Sequence, residues 1–149
     1  MAAFTLANTK WLNEKTSGVD IFAKIVDNVE SLQDEQRLAI YDFSGRQVYW
    51  QHVFEPLAKE ITNYILVFDF ANKSSLESLK QTISKLKSNR TIKLGNVVVV
   101  GNKSDLTNRA VNKAEVDSFV KETGYAVREV SIKDYEKVCS VFLDFLKGK

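Results

Sequence analysis

The chain has 149 residues, of which 44% are apolar and 27% charged, and its formal net charge at pH 7 is +2. This apolar content supports one hydrophobic core and is not typical of a disordered chain, so we expect a single domain over residues 1–149. Basic and acidic residues are interspersed, and we therefore expect no nucleic-acid partner. The single Cys139 excludes an internal disulfide, and no apolar run approaches the roughly 20 residues that span a bilayer. A cytoplasmic protein is expected.

The first two predicted strands are Val19–Val26 and Gln36–Phe43, which flank a polar interval and indicate an antiparallel hairpin. Strands and helices then alternate. A third predicted strand, at 63–70, precedes a helix with an apolar stripe at spacings of three and four residues. The stripe consists of Leu76, Leu79, Ile83 and Leu86.

Two further strand and helix pairs complete the predicted fold. The strand at 96–101 precedes a helix with Asn112 and Glu115 as its capping pair and Gly124 as its stop. The strand at 125–131 precedes a helix from about Asp134, whose apolar stripe is Val138, Val141, Phe142 and Phe145. Nearly continuous apolar strands that alternate with helices predict an α/β fold with a mostly parallel sheet, covered on both faces.

Polar motifs lie at the ends of these predicted strands, where ligands bind in open α/β sheets. They are TSG at 16–18, DFSG at 42–45, NKSD at 102–105 and SIK at 131–133. The alternative interpretation of NKSD is an ordinary polar turn, since Asn, Asp and Ser are typical turn residues. No Cys/His cluster has metal-ligand spacing, and the lone His52 is interpreted as a packing or surface residue. We assign no catalytic and no metal-binding residue.

In this order and at these strand ends, the motifs resemble those of Ras-superfamily small GTPases. The resemblance implies a three-layer α/β/α fold and a guanine-base pocket. In that pocket Asp105 would accept hydrogen bonds from guanine N1 and N2, and such a site rejects adenine by about 10⁴. Asn102 would brace the loop and Lys103 would lie along the base. The far wall would consist of Ser131, Ile132 and Lys133.

The resemblance also implies a phosphate and magnesium side. Asp42 would lie behind the magnesium ion, and the backbone N–H of Gly45 would reach the terminal phosphate. Thr16 would match the switch threonine that closes on the metal. Arg46 occupies the position where Ras-type enzymes usually have the glutamine that orients the attacking water.

The beginning of the chain departs from the family pattern. A P-loop, GxxxxGK[ST], needs two glycines, yet none of the fifteen residues before Thr16 is a glycine. We therefore expect no cofactor and a nucleotide-independent interaction subunit, a pseudo-GTPase. The alternative is an active small GTPase that binds GTP or GDP with magnesium and whose P-loop segment is absent from this sequence. A third possibility is a weak guanine-base binder without turnover.

In the family, the first strand lies between the strands that contain Leu38 and Ile65, so the predicted fold is incomplete at its N-terminus. Three arrangements could fill the gap. The stretch AAFTLA could insert as a short strand, the two neighbouring strands could pair directly, or a partner could donate a strand. Alternatively, FTLANTKWL is a remnant of the family's first helix.

Within the superfamily, the stretches LAIYDFSGRQVY and GNKSDLTNRAVNKAEV are most similar to the Rab-like GTPases of intraflagellar transport. The resemblance spans residues 10–147 and implies a subunit of a large ciliary assembly that works without a lipid anchor. The ending FLKGK has no cysteine to prenylate. We expect stable protein partners to bind a switch-like surface at residues 16–20 and 49–54. That surface includes Thr16, Asp20, Tyr49, Trp50 and Phe54.

Overall fold

The computed structural model of the chain describes residues 16–26 and 36–146. These residues form two compact units, divided between Ala58 and Lys59, and each unit is described by itself. The predictions for AAFTLA, for FTLANTKWL and for the polar interval before Gln36 lie outside the described residues. The single domain over residues 1–149 stays a prediction.

The first unit contains the predicted hairpin. Strands β1 (Val19–Val26) and β2 (Gln36–Phe43) pair antiparallel, with Val19 opposite Phe43 at the open end. A hydrogen bond of 2.9 Å from the Ser44 N–H to the Gly18 carbonyl extends the ladder past the two strands. Both strand ranges agree with the sequence prediction.

The hairpin leads into a short helical segment of changing pitch. A 3₁₀ turn (Gln47–Tyr49) is followed by a π-helical turn (Trp50–Phe54) and one turn of α-helix, α1 (Glu55–Ala58). Ala58 is fully buried. Within this segment only the last turn is α-helical.

The second unit is an alternating α/β arrangement. Its elements, in chain order, are β3 (Tyr64–Asp69), α2 (Lys73–Ser88), β4 (Val97–Asn102), α3 (Lys113–Thr123), β5 (Val127–Glu129) and α4 (Tyr135–Leu146). The three strands form a parallel sheet in the order β3-β4-β5. The α/β fold with parallel strands is confirmed.

Alternation along β4 directs its valines to two cores. On one face Val99, fully buried, packs with Phe68 and with residues of α2 and α3 such as Phe119. On the other face Val98 and Val100 pack with Val130 and with Val141 of α4. Helices thus cover both faces of the parallel sheet, which confirms the three-layer arrangement in this unit.

Local sequence signals set the helix ends. All four residues of the predicted α2 stripe are buried. In α3 the side chain of Asn112 accepts from the Glu115 N–H, at 3.0 Å, while the Glu115 carboxylate accepts from the Asn112 N–H, at 2.9 Å. Gly124 ends this helix with a φ of 80°, a left-handed conformation that glycine adopts without strain. These caps are as predicted.

The last strand is shorter than predicted. The sequence predicts 125–131, whereas β5 comprises only Val127–Glu129. After it the carbonyl of Val130 accepts from the Ser104 N–H, and the chain turns at Ser131, whose carbonyl accepts from the Asp134 N–H. The helix α4 includes Phe145, but the structure does not describe the side chain of this residue, which the sequence predicts for the apolar stripe.

In the described part of the chain, no helix is both long and apolar enough to cross a membrane.

Candidate functional site

The NKSD loop (residues 102–105) and the SIK turn (131–133) lie together beyond the carboxyl ends of β4 and β5. Asn102 is the last residue of β4 and lies opposite Asp69, the last residue of β3. The structure therefore brings together the six residues proposed for the base pocket, which are Asn102, Lys103, Asp105, Ser131, Ile132 and Lys133.

Two hydrogen bonds join the NKSD loop to the end of β5. The Asn102 side-chain oxygen accepts from the Ile132 N–H at 3.3 Å, and the Ser104 N–H donates to the Val130 carbonyl at 3.0 Å. Asn102 thus braces the loop from within the chain, as its position in the family motif implies.

Asp105 is held by groups of the SIK turn. The Nζ atom of Lys133 lies 2.7 Å from Oδ2 of Asp105. The hydrogen bond with Lys133, followed by one with Ser131, lowers the pKa of Asp105 from the usual 3.8 to about 2. The carboxylate is therefore ionised at neutral pH and already has a cationic partner.

Ser131 fixes the turn that presents Lys133. It is 5% exposed and is the one polar residue that is buried among the described residues. Its hydroxyl accepts from the Lys133 N–H at 3.2 Å, and its carbonyl accepts from the Asp134 N–H at 2.9 Å. The turn is thus held by its own backbone before α4 begins.

Lys103 adopts an unusual backbone conformation. Its φ is 64°, and no other non-glycine residue in the described segments has a positive φ. This left-handed conformation costs an L-residue about 1–2 kcal/mol. The Lys103 Nζ lies 2.7 Å from Oδ2 of Asp69, so the end of β3 holds the side chain.

Sequence reasoning missed two residues that contact the NKSD loop, Asp69 and Arg109. The sequence could have indicated Asp69, because it lies at the carboxyl end of a predicted strand. In open α/β sheets, ligands bind beyond these strand ends. Arg109 lies in the segment after the loop, and its side chain donates to the carbonyls of Ser104 and Leu106.

An open groove lies beside Asp105. Its walls are Ser104, Asp105, Ser131 and Lys133 together with the first turn of α4. An ionised carboxylate at such a groove accepts two adjacent N–H donors, and guanine N1 and N2 have that chemistry. The Asp105 carboxylate is therefore an acceptor that fits the N–H donors of a guanine base, which would compete with Lys133 for it.

The proposed phosphate and magnesium residues lie in the first unit. The Thr16 hydroxyl donates to Oδ2 of Asp42 at 3.2 Å, and the hydroxyls of Ser17 and Tyr49 lie 3.0 Å apart. Gly45 is exposed, and a Cβ atom there would have no neighbour within 4 Å. Within the described residues there is no group of three or more His, Cys, Asp or Glu that could hold a metal ion.

The aromatics of the switch-like surface pack on each other. The rings of Trp50 and Phe54 lie 4.4 Å apart, and Phe54 meets Phe43 edge to face at 4.8 Å. Tyr49, Trp50 and Phe54 are all half-buried. Among the described residues of this unit, the exposed apolar side chains include Val48 (69% exposed), Ile21 (61%) and Phe22 (55%). These three residues lie just outside the ranges 16–20 and 49–54 predicted for the switch-like surface.

The chain is similar to known proteins over most of its length. The Ras family model matches residues 2–148. The chain is 31% identical over 123 residues to the human "Intraflagellar transport protein 27 homolog", an alignment that covers 81% of this chain and 64% of that protein. It is 30% identical over 131 residues to "Ras-related protein RABD2a" of Arabidopsis thaliana, with 86% and 61% covered. It is 28% identical over 116 residues to "Putative ras-related protein Rab-5B" of Dictyostelium discoideum, with 76% and 51% covered.

The chain thus spans between about half and two thirds of the length of these relatives. The family model matches nearly the whole of this chain, and the small-GTPase-like α/β fold agrees with that match. The chain therefore belongs to the Ras family.

Proposed function

We propose that this chain is a structural subunit of an intraflagellar transport assembly, in the cilium, and that it binds its protein partners without depending on a bound nucleotide. Its similarity to proteins named for intraflagellar transport supports the assembly. The observation that carries nucleotide independence is the 2.7 Å contact between Lys133 and Asp105.

The polar groups of the NKSD loop have partners within the chain. In the Ras family a guanine base supplies hydrogen-bond partners for the carboxylate at the position of Asp105. Here Lys133 supplies the partner of the carboxylate, and the Ile132 N–H supplies the partner of Asn102. The loop therefore has its hydrogen bonds without a base.

The phosphate side supports the same proposal for the 149 residues as they stand. They contain no GxxxxGK pattern, whose backbone N–H groups and lysine hold the phosphates in P-loop proteins. The hydroxyl of Thr16, a magnesium ligand in the family's closed state, donates to Asp42 instead. Thr16 and Asp42 thus contact each other directly at an exposed position of this unit.

The proposed partner surface belongs to the first unit. A protein whose switch-like surface is not ordered by a terminal phosphate needs another source of order, and a constantly bound partner provides it. Exposed apolar side chains are suitable anchors for such a partner, and Val48, Ile21 and Phe22 are exposed here.

Co-purification from ciliated cells tests the proposal. The tagged chain is isolated with its assembly, either in buffer with magnesium and GTP or after EDTA and phosphatase have removed metal and nucleotide. We expect equal recovery of the assembly under both conditions. Release of the chain on nucleotide removal would contradict nucleotide independence, whereas recovery without any intraflagellar transport subunit would contradict the assembly.

A second candidate is an active small GTPase that binds GTP or GDP with magnesium. It is favoured by the ionised Asp105 at an open groove and by the coverage of only 64% of the human relative, which leaves room for a phosphate-binding segment in a longer form. In that form Asp105 and Lys103 would hold the base, and Thr16 and Asp42 would be available on the magnesium side. The intact mass of the native protein decides between the two: a longer N-terminus with a GxxxxGK segment supports the enzyme.

A further inference from the structure

The guanidinium of Arg109 contacts the backbone on both sides of Asp105. Its Nη2 donates to the Ser104 carbonyl at 2.6 Å, and its Nε donates to the Leu106 carbonyl at 3.3 Å. Ser104 and Leu106 are the immediate neighbours of Asp105 in the chain. The Ser104 carbonyl belongs to the peptide group that joins Ser104 to Asp105, and the Leu106 carbonyl belongs to the peptide group that follows Leu106. One side chain therefore holds the loop backbone directly before Asp105 and one residue beyond it.

The same guanidinium is itself held by two further groups. Its Nη1 lies 2.7 Å from Oε2 of Glu129, the last residue of β5. Its Cζ lies 4.4 Å from the centroid of the Phe70 ring. Arginine suits this position because its planar group offers several N–H donors in a fixed fork and stacks on aromatic faces.

Phe70 gives Arg109 a rigid support. Its ring is 1% exposed and packs edge to face on Phe68, with 5.0 Å between the centroids. Its carbonyl accepts from the N–H groups of Ala110 and Val111, at 2.9 and 3.1 Å, so the residues directly after Arg109 are tied to the same platform. Phe70 thus supports both the guanidinium of Arg109 and the backbone that follows this residue.

We infer that Arg109 is a positioning residue, which holds the NKSD loop in its base-reading conformation without a nucleotide. The inference rests on the proposed nucleotide independence, because in that proposal the protein's own side chains order the loop. In this inference the contacts of Arg109 with the Ser104 and Leu106 carbonyls hold the loop backbone. The ion pair with Lys133 keeps the Asp105 carboxylate ionised.

Amide hydrogen exchange of the full chain, followed by NMR without nucleotide or partner, tests the inference. The reporters are the N–H groups of Ser104 and Leu106, which donate to the carbonyls of Val130 and Lys103. Losing a hydrogen-bonded support of this kind speeds local exchange about tenfold, and we expect that for Arg109→Ala. The amides of α2 and β3 should exchange as in the wild type. Arg90→Ala, at an exposed position outside the loop, is the matched control.

Two milder variants separate the fork from the charge. Glu129→Gln removes the ion pair but leaves both carbonyl contacts, so we expect wild-type exchange at Ser104 and Leu106. Arg109→Lys keeps the charge but loses the planar fork, so we expect the fast exchange of the alanine variant; it also serves as the test if Arg109→Ala does not fold.

Three results would overturn the inference: unchanged exchange in the Arg109 variants, full restoration by lysine, or a uniform increase over the whole unit. The assay contains neither nucleotide nor partner, so such a failure leaves the proposed function to its own tests.

Discussion

The Nζ atom of Lys133 lies 2.7 Å from Oδ2 of Asp105, which places a cation of the chain itself on the carboxylate proposed to recognise guanine. The Lys133 side chain is 77% exposed, so the pair adds little to the stability of the fold. Its consequence concerns the site, because a base that binds Asp105 has to compete with Lys133 for the carboxylate.

Replacing Lys133 should change the titration of Asp105. The hydrogen bond with Lys133, followed by one with Ser131, lowers the pKa of Asp105 from 3.8 to about 2. The stabilising contribution of these contacts is therefore complete above about pH 4 and is lost as the pH falls through about 2. In Lys133→Met we expect the pKa of Asp105 to move back towards 3.8, with the Ser131 hydrogen bond retaining part of the shift.

Carboxyl-carbon NMR measures this pKa directly. Lys137→Met is the control, because Lys137 pairs with Asp134 at 3.4 Å on the neighbouring helix turn. A pKa of Asp105 that stays at about 2 in Lys133→Met would show that Lys133 is not its principal partner.

Gly101 leaves room for the platform below Arg109. A Cβ atom at this position would lie 2.5 Å from the Phe70 ring and 2.8 Å from the Phe68 ring. Because overpacking a core in this way costs about 1–3 kcal/mol, Gly101→Ala should lower the free energy of unfolding by that amount in urea titrations. Gly45→Ala, where a Cβ meets nothing within 4 Å, is the control. Equal stability of Gly101→Ala and the wild type would refute the packing argument.

The capping box of α3 should contribute measurably to stability. Asn112→Ala removes the acceptor for the Glu115 N–H, and loss of an N-cap costs about 0.5–2 kcal/mol of unfolding free energy. Urea unfolding of this variant is compared with Asn108→Ala, at an exposed position in the preceding turn. Indistinguishable midpoints for the two variants would mean that the box does not stabilise the helix.

The helix ends and the individual site residues were predictable from sequence to different extents. The caps of α3 at Asn112 and Gly124 depend on residues a few positions apart, so the local pattern was sufficient. The pairs Lys133–Asp105 and Lys103–Asp69 join residues 28 and 34 positions apart, and single-sequence patterns do not encode such pairings.

The surface aromatics illustrate the same limit. The spacing of Tyr49, Trp50 and Phe54 did not reveal which of them would pack on the hairpin. Phe54 packs edge to face on Phe43, which belongs to a separate strand, and Trp50 packs on Phe54. Val48, 69% exposed, lies in a 3₁₀ turn, and no local sequence pattern marked this turn in advance.

A charge on the proposed partner surface should release the chain from its assembly. Val48 is 69% exposed, so Val48→Asp leaves the fold intact while it places a carboxylate in an apolar interface. We expect co-purification to be lost in this variant and in Tyr49→Ala/Trp50→Ala.

Ile132→Asp is the matched control, because Ile132 is 60% exposed and lies in the SIK turn of the second unit. The tyrosine and tryptophan variant also needs a stability measurement, since the Trp50 indole N–H donates to Glu55 at 2.8 Å. Retained incorporation of Val48→Asp with unchanged stability would place the docking surface elsewhere.

Titration of the purified 149-residue chain with a fluorescent guanine nucleotide, with and without magnesium, tests nucleotide independence most directly. Asp105→Asn, which removes the base-reading carboxylate, is the matched variant. We predict no magnesium-dependent binding of GTP or GDP at micromolar concentrations, no hydrolysis above background and no difference between the two proteins. A magnesium-dependent micromolar affinity that Asp105→Asn abolishes would contradict the account and establish a nucleotide-binding GTPase.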